Sequence, residues 1–532
     1  MAVLAGAWIV YLIIIGVLFV FSFLFTKYYQ DYRDSERLAT AVTICSLTLC
    51  LGAIALFPVD IYLVSSTVNL NTGLKHDWAK DQIQNILFEI NSVYYVMYGL
   101  IAIFSTFVIP FAYFYYEEYE EGETNQQRII GALKYTGFFV AFLLVCFIFG
   151  IILHPKEKKL PIDLDLEFFK KLLSESLGAS SISFIIAVLM IIGMVVFVVY
   201  TAPGLSLLPI RMIKGINQSD PSDADLDNYL RLNREKQRVI KAKYEDPDNQ
   251  MTRKDAQLLE NLLTEEKILM RRLRVYEANK TGILNKILVI FRPFEFLGGI
   301  MFLLLTIIIF LSMFLTCIDK VKNAICGSNC GYIIKHPDIF NPLNFIFVEA
   351  SHYFPLDYLF MVLLILYFFL STVAGVVFIG IRFLWMTLYK IRKNATPPQG
   401  LLLACLLLIL NLLALNYTIS MVVAPQYAQF GSQKYCNHTV DNVTDCSDYP
   451  SLIIPCDVTA PTDICTPTAI STFIHRITIN TPFFGVVFYY SQWAFLIILA
   501  LGFVYSTIRP HSYISLDDYD EEEESERLLN SS

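Results

Sequence analysis

The chain has 532 residues, of which 55% are hydrophobic and 17% charged, with a formal net charge of −8 and a mean hydropathy of +0.54. That apolar surplus exceeds what a water-soluble core encloses, and it is gathered in runs of about twenty residues or more, the length that crosses a hydrocarbon core. The composition excludes a soluble multidomain protein, and no run of Lys or Arg interleaved with aromatic residues offers a face for nucleic acid.

Taken in chain order, the apolar runs predict nine transmembrane helices near residues 4–25, 39–65, 93–116, 129–153, 181–209, 294–318, 356–384, 399–423 and 483–506. The first run has no positive residue ahead of it and is too long for the apolar region of a signal peptide. Lys27, Arg33 and Arg37 follow it, the pattern of a retained signal-anchor whose C-terminal end stays cytosolic. The fold class is therefore all-α: a polytopic helical membrane protein with a lumenal N-terminus, a cytosolic C-terminus and a cytosolic helical hairpin. The expected organisation is a five-span bundle (1–209), the hairpin loop (210–293), a three-span bundle (294–423), a lumenal Cys-rich loop (424–482), a ninth span (483–506) and an acidic tail (507–532). The 154–180 loop, with Lys156, Lys158, Lys159, Lys170 and Lys171, opposes this orientation on charge alone.

Cysteines and glycosylation sequons decide between the two orientations. Cys436, Cys446, Cys456 and Cys465 share one loop, Cys326 and Cys330 another, and both loops fall on the lumenal side. The other five cysteines lie within spans or at a span's edge, as disulfide chemistry in an oxidising compartment requires. Three pairings of the four-cysteine loop remain open. The same loop carries the acceptor sequons of Asn437 and Asn442. Sequons at Asn217, Asn279, Asn394 and Asn530 fall on the cytosolic side, and Asn416 lies too close to the bilayer.

In the 210–293 loop, Asp246-Pro247-Asp248-Asn249 predicts a turn between two helical arms. Leu258, Leu259, Leu262, Leu263, Leu269, Met270 and Leu273 form a stripe on the second arm. That stripe suits burial within the hairpin and suits docking of a partner. The tail is too acidic and polar to fold alone. It contains Tyr513-Ile-Ser-Leu516, a Tyr-x-x-apolar sorting pattern, and Glu524 ahead of Leu528-Leu529, an acidic dileucine pattern. Two such peptides in one tail point to clathrin adaptor complexes and an endosomal or lysosomal address.

Ionisable groups at membrane depth are functional candidates. Asp60 lies in Phe57-Pro58-Val59-Asp60, and the pattern recurs as Phe354-Pro355-Leu356-Asp357. Both carboxylates suit capping of helix N–H groups beside a proline, and both suit lining a lumenal mouth for a cation, proton or polar solute. Glu349 and His352 extend that candidate site. Six of the seven histidines (76, 154, 336, 352, 438 and 475) fall on the lumenal side, where acid would titrate them. No phosphate loop, dinucleotide fingerprint, H-E-x-x-H or nucleophile elbow is present. No enzyme activity, metal site or covalent cofactor is expected.

The stretches FPVDIYLVS (57–65), PFAYFYYEE (110–118), ALKYT (132–136), GLSLLPIRMIKG (204–215), FNPLNFIF (340–347), FPLDYLFMV (354–362), LYKIRK (388–393) and APQYAQFGSQKY (424–435) together resemble the limb-region membrane-protein family. The likeness runs from the first span to the last. It implies a nine-span glycoprotein of the lysosomal membrane required for export of cobalamin, vitamin B12, to the cytosol, as the transporter or as the escort of one. The implied partner is an ATP-binding-cassette half-transporter of subfamily D, and cycling through the plasma membrane by clathrin adaptors is also implied. The lipocalin-receptor branch of the same family implies an alternative, an endocytic receptor that captures a protein ligand with loop 424–482. The resemblance supplies no cobalamin-contacting residue.

Overall fold

The computed structural model describes residues 2–508 apart from 32–35, 71, 119–124, 153–176, 215–222, 245–282 (except 258–259, 262–263, 266–267 and 270), 325–326, 335–337, 384–385, 393–395, 438, 441–442, 445, 447–451, 458–459 and 462. Among the described residues, nine helices are long and apolar enough to cross a membrane: Gly6–Tyr29, Arg37–Ser65, Gln82–Glu117, Gln126–Phe149, Ile182–Lys214, Phe294–Lys322, Leu356–Ile379, Pro398–Val423 and Pro482–Ile508. They are called here the first to ninth spans. Each satisfies its own backbone hydrogen bonds, which is why helices fill an apolar slab.

Burial orders the spans. The apolar stretch of the eighth span is 83% buried and that of the second 72%, against 17% for the first and fourth. The eighth and second therefore form the centre of the bundle and the first and fourth its lipid-facing rim. Exposed Leu12, Ile13, Val17 and Leu24 on the first span, and Phe138, Leu144 and Ile148 on the fourth, are the apolar surface that a bilayer covers.

Close helix crossings rely on small residues. A Cβ on Gly204 of the fifth span would stand 1.8 Å from the Ser371 carbonyl oxygen of the seventh. One on Gly375 would stand 2.0 Å from the Tyr200 carbonyl oxygen. No larger residue fits either position at this approach.

The seventh span ends at Ile379, five residues before the expected 384. Gly380 has φ +74° and ψ 166°, an extended conformation that suits glycine and stops the helix, and the chain then pairs Ile381–Phe383 with Met386–Tyr389 as an antiparallel hairpin. The third, fifth and eighth spans each contain a π-helical turn, at Phe104–Val108, Phe197–Thr201 and Ile419–Val423.

The chain divides into two compact units, Leu208–Leu304 and the remainder. Within the smaller unit, helix Asp223–Lys243 meets the second arm through Arg234 Nε, which donates to Glu266 Oε1 at 2.7 Å, and Gln237 Nε2, which donates to the Leu262 carbonyl at 3.1 Å. The Arg234 and Gln237 donors hold the Glu266 carboxyl below its ordinary pKa. Leu262 is buried whereas Leu258 and Leu263 are exposed; Leu269 and Leu273 of the expected stripe lie outside the described residues.

Candidate functional site

The 424–482 region is built into the end of the bundle, and two helices missing from the expected loop, Pro425–Phe430 and Ala469–Asn480, carry it there. The Cys436–Cys446 and Cys456–Cys465 disulfides select one of the three open pairings. Lys434–Cys436 pairs with Ile453–Pro455 as a short antiparallel ladder. Gln433 acts as a clasp: its Nε2 donates to the Phe430 and Thr466 carbonyls at 2.8 and 2.7 Å, while its Oε1 accepts the Thr466 N–H at 2.9 Å. Lys75, from the connection between the second and third spans, donates to the Asp463 carbonyl at 2.9 Å and to Thr466 Oγ1 at 3.1 Å. Asn437 is exposed on this region. Asn442, Cys326 and the tail residues Tyr513, Leu516, Glu524, Leu528 and Leu529 lie outside the described residues, as does the side chain of Cys330. Asn416 is 3% exposed inside the eighth span, where a glycan has no room.

Asp60 is fully buried near the end of the second span. Its Oδ1 accepts the Ala469 N–H at 3.2 Å and its Oδ2 the Ile470 N–H at 3.1 Å. These are the first two residues of helix Ala469–Asn480, whose N–H groups have no acceptor within the helix and whose dipole favours a negative charge. Thr468 completes the cap by accepting the Ser471 N–H, and its hydroxyl donates to the Ala428 carbonyl at 2.8 Å. Asp357, 1% exposed in the first turn of the seventh span, accepts from the Tyr427 hydroxyl at 2.8 Å. Tyr427 in turn stacks on Phe347 at 4.7 Å, and its N–H donates to Asn344 Oδ1 at 3.2 Å. Burial and the Asp357 charge hold the Tyr427 phenol far above its ordinary pKa, so it stays a donor.

Asp60 thus holds the start of helix Ala469–Asn480 and Asp357 the helix Pro425–Phe430, and both carboxylates already hold protein donors. Glu349 and His352 stand apart from them. Both are exposed, and the His352 ring Nδ1 lies 3.1 Å from the backbone carbonyl of Glu349. Neither makes a hydrogen bond to Asp357 among the described residues.

Uncharged polar residues inside the apolar runs, passed over by a search for charges, meet in the bundle centre. Thr201 of the fifth span lies 2.9 Å from Thr372 Oγ1 of the seventh and donates to Asn411 Oδ1 of the eighth at 2.9 Å. Asn411 Nδ2 closes the triangle on Thr372 Oγ1 at 3.0 Å. Tyr367 and Thr306 hydroxyls join the seventh and sixth spans at 2.5 Å. Nearer the disulfide-bonded end, Asn416 Nδ2 donates to the Tyr98 hydroxyl at 3.2 Å, and Gln492 Nε2 to Thr418 Oγ1 at 3.2 Å. The only sequence signal of these contacts is an Asn, Gln or Thr where apolar residues surround it. Among the described residues, no group of three or more His, Cys, Asp or Glu is placed to hold a metal ion.

Comparison with known proteins places this architecture. A family profile described as LMBR1-like membrane protein matches residues 7–288. A protein of Sclerotinia sclerotiorum named probable lysosomal cobalamin transporter is 40% identical over 550 residues, covering 99% of this chain and 92% of its own. Proteins of the same name are 38% identical in Coccidioides immitis, covering 98% and 94% of the two chains, and 42% identical in Pyrenophora tritici-repentis, covering 92% and 88%. No solved structure matches the chain significantly.

Proposed function

The chain belongs to the family of LMBR1-like membrane proteins, and from that premise we propose that it exports cobalamin from the lysosome to the cytosol. One observation carries the reading: about two-fifths identity, over nearly the whole of both chains, to relatives named probable lysosomal cobalamin transporter. Likeness of that extent covers the spans, the disulfide-bonded region and the hairpin together.

In this reading the disulfide-bonded end faces the lumen, which suits two disulfides and the exposed Asn437 sequon. The sequence has no phosphate loop. An ATP-binding-cassette half-transporter of subfamily D would then supply ATP hydrolysis, with this chain as its escort or as part of the conduit. The Tyr513 and Leu528-Leu529 peptides would meet clathrin adaptor complexes and bring the protein to the lysosome, in part through the plasma membrane. Asp60, Asp357, Glu349 and His352 remain candidates for the lumenal mouth. Capping explains the first two more fully than solute binding, since each already accepts hydrogen bonds from the protein.

Cells lacking the gene, loaded with labelled cobalamin, should retain the label in lysosomes and recover release when the wild-type chain is restored. Normal release from the deleted cells would overturn the reading.

A further inference from the structure

The connection between the sixth and seventh spans contains a short helix, Pro342–Ala350, outside the nine spans. Hydrogen bonds at its start fix its depth. Asn341 caps it by accepting the Asn344 N–H at 3.0 Å. The same side chain donates through Nδ2 to Thr316 Oγ1 of the sixth span at 2.8 Å and to the Val423 carbonyl at 3.1 Å. Val423 is the last residue of the eighth span, so Asn341 stands level with the end of that span. The next contact is deeper: the Leu343 N–H donates to Ser312 Oγ at 3.1 Å. Ser312 precedes Thr316 by one helical turn, a rise of about 6 Å. The helix therefore starts inside the layer that the apolar spans occupy, not beyond it.

Its two faces differ. Leu343, Asn344, Phe347 and Ala350 recur at helical spacing and are buried. Phe347 stacks on Tyr427 at 4.7 Å, and Asn344 Oδ1 accepts the Tyr427 N–H. On the other side, Phe340 and Phe345 pack their rings together at 5.7 Å and are 63% and 56% exposed, and after the helix Tyr353 and Phe354 are 71% and 73% exposed. The exposed polar groups, Glu349 and His352, come at the end of the helix remote from Ser312.

This aromatic edge continues a surface that lipid already covers. Phe354 packs on Tyr358 at 6.0 Å and on Tyr62 at 6.4 Å. Next to Tyr358, the exposed Leu359, Leu363, Leu366 and Leu370 form one stripe along the seventh span. A contiguous apolar surface of large side chains marks a contact face, and rings of this kind gather where a bilayer meets water.

We propose that residues 340–354 form a half-immersed element that does not cross the membrane. In it, Phe340, Phe345, Tyr353 and Phe354 bind the phospholipid leaflet at the disulfide-bonded end of the bundle. The lipid contact on one face of helix Pro342–Ala350 then stands back to back with Tyr427, the residue that holds Asp357, on the other.

The test uses the full-length protein in phosphatidylcholine nanodiscs and does not depend on the cargo. A Cys45→Ser background removes the exposed free thiol, and that background labelled alone gives the correction. A small environment-sensitive fluorophore is attached at Phe345→Cys, at Phe354→Cys and, as the aqueous reference, at Asp463→Cys, an exposed position of the disulfide-bonded region. Nitroxide-labelled phosphatidylcholine should quench the probes at 345 and 354 several-fold more than the probe at 463, and iodide in the water should do the reverse. Iodide reaching all three alike, with no quenching of 345 and 354 by the lipid nitroxide, would overturn the proposal and leave this face to a water-borne partner.

A second measurement needs no substitution. Leu70 lies in the turn between Val68–Asn69 and Leu74–Lys75, beside Cys436, and is 37% exposed. Hydroxyl radicals generated in the water around wild-type nanodiscs should oxidise Tyr353 and Phe354 several-fold less than Leu70 once intrinsic reactivity is divided out. Oxidation in proportion to exposure would count against the lipid contact even if the labelled variants did not fold.

Discussion

Asp60 Oδ2 accepts the N–H of Ile470 at 3.1 Å across 410 positions of sequence, and Oδ1 takes the preceding N–H of Ala469. One carboxylate of the second span thereby starts helix Ala469–Asn480 and fixes it against the bundle. A hydrogen bond to a charged group contributes about 1.5–3 kcal/mol, and an orphaned buried donor costs about 1–3 kcal/mol. Asp60→Ala should therefore lower the thermal midpoint steeply, and Asp60→Asn, which keeps one acceptor, should lower it less. With labelled-cobalamin release measured beside protein abundance, both should fall together. Normal abundance with abolished release would give Asp60 a direct part in transport.

The same end of the bundle shows what the sequence could and could not disclose. Span number and position were legible because a run such as Leu401–Leu415 admits no structure in lipid but a helix. The ends were less so: Gly380 stops the seventh span by its backbone conformation, which hydropathy does not register. The Cys-rich region was recognisable by its cysteines, but its two helices were not. Ala469–Asn480 is only twelve residues long, and its start is fixed by a carboxylate more than four hundred residues away. The recurring Phe-Pro-x-Asp pattern marks two buried carboxylates, each of which accepts hydrogen bonds from the region after the eighth span. The adjoining Glu349 and His352 are exposed, and among the described residues neither makes a hydrogen bond to Asp357. Thr201, Thr372 and Asn411 left no readable pattern, because contacts among three helices have no period in any one of them.

The bond from Tyr427 to Asp357 ties the helix Pro425–Phe430 to the start of the seventh span. Tyr427→Phe removes the donor and leaves a buried carboxylate short of a partner, at a cost of about 1–3 kcal/mol. Asp357→Asn gives up the charge that made the donor necessary. In a double-mutant cycle read by thermal or denaturant unfolding, the pair should cost less than the sum of the single changes by about 0.5–3 kcal/mol. Strict additivity would mean the two residues do not support one another.

The two disulfides should differ in weight. Closing loops of this size is worth about 2–3 kcal/mol each in the chain-entropy description, with sequence separations of 10 and 9 residues. Cys456 and Cys465 are in addition part of a buried cluster with Val68, Phe430, Tyr435 and Ile464, which Cys436 and Cys446 are not. The paired change Cys456→Ser with Cys465→Ser should reduce folded protein on size-exclusion chromatography more than Cys436→Ser with Cys446→Ser. Equal losses would mean that loop closure alone sets the effect.

The remaining prediction concerns pH. His475 titrates near 6.5 when unfolded, whereas burial and the Lys320 charge push it down to about 4 in the fold. Between those values the unfolded chain binds more protons than the folded one, so stability rises with pH through this window and is lost as pH falls from about 6.5 towards 4. At about 1.4 kcal/mol per pH unit of difference, the loss at the acid end reaches roughly 3 kcal/mol. His475→Gln, neutral at every pH, should flatten the thermal midpoint between pH 6.5 and 4.5, and wild type should slope downward into acid. A wild-type slope identical to that of His475→Gln would remove His475 as its source.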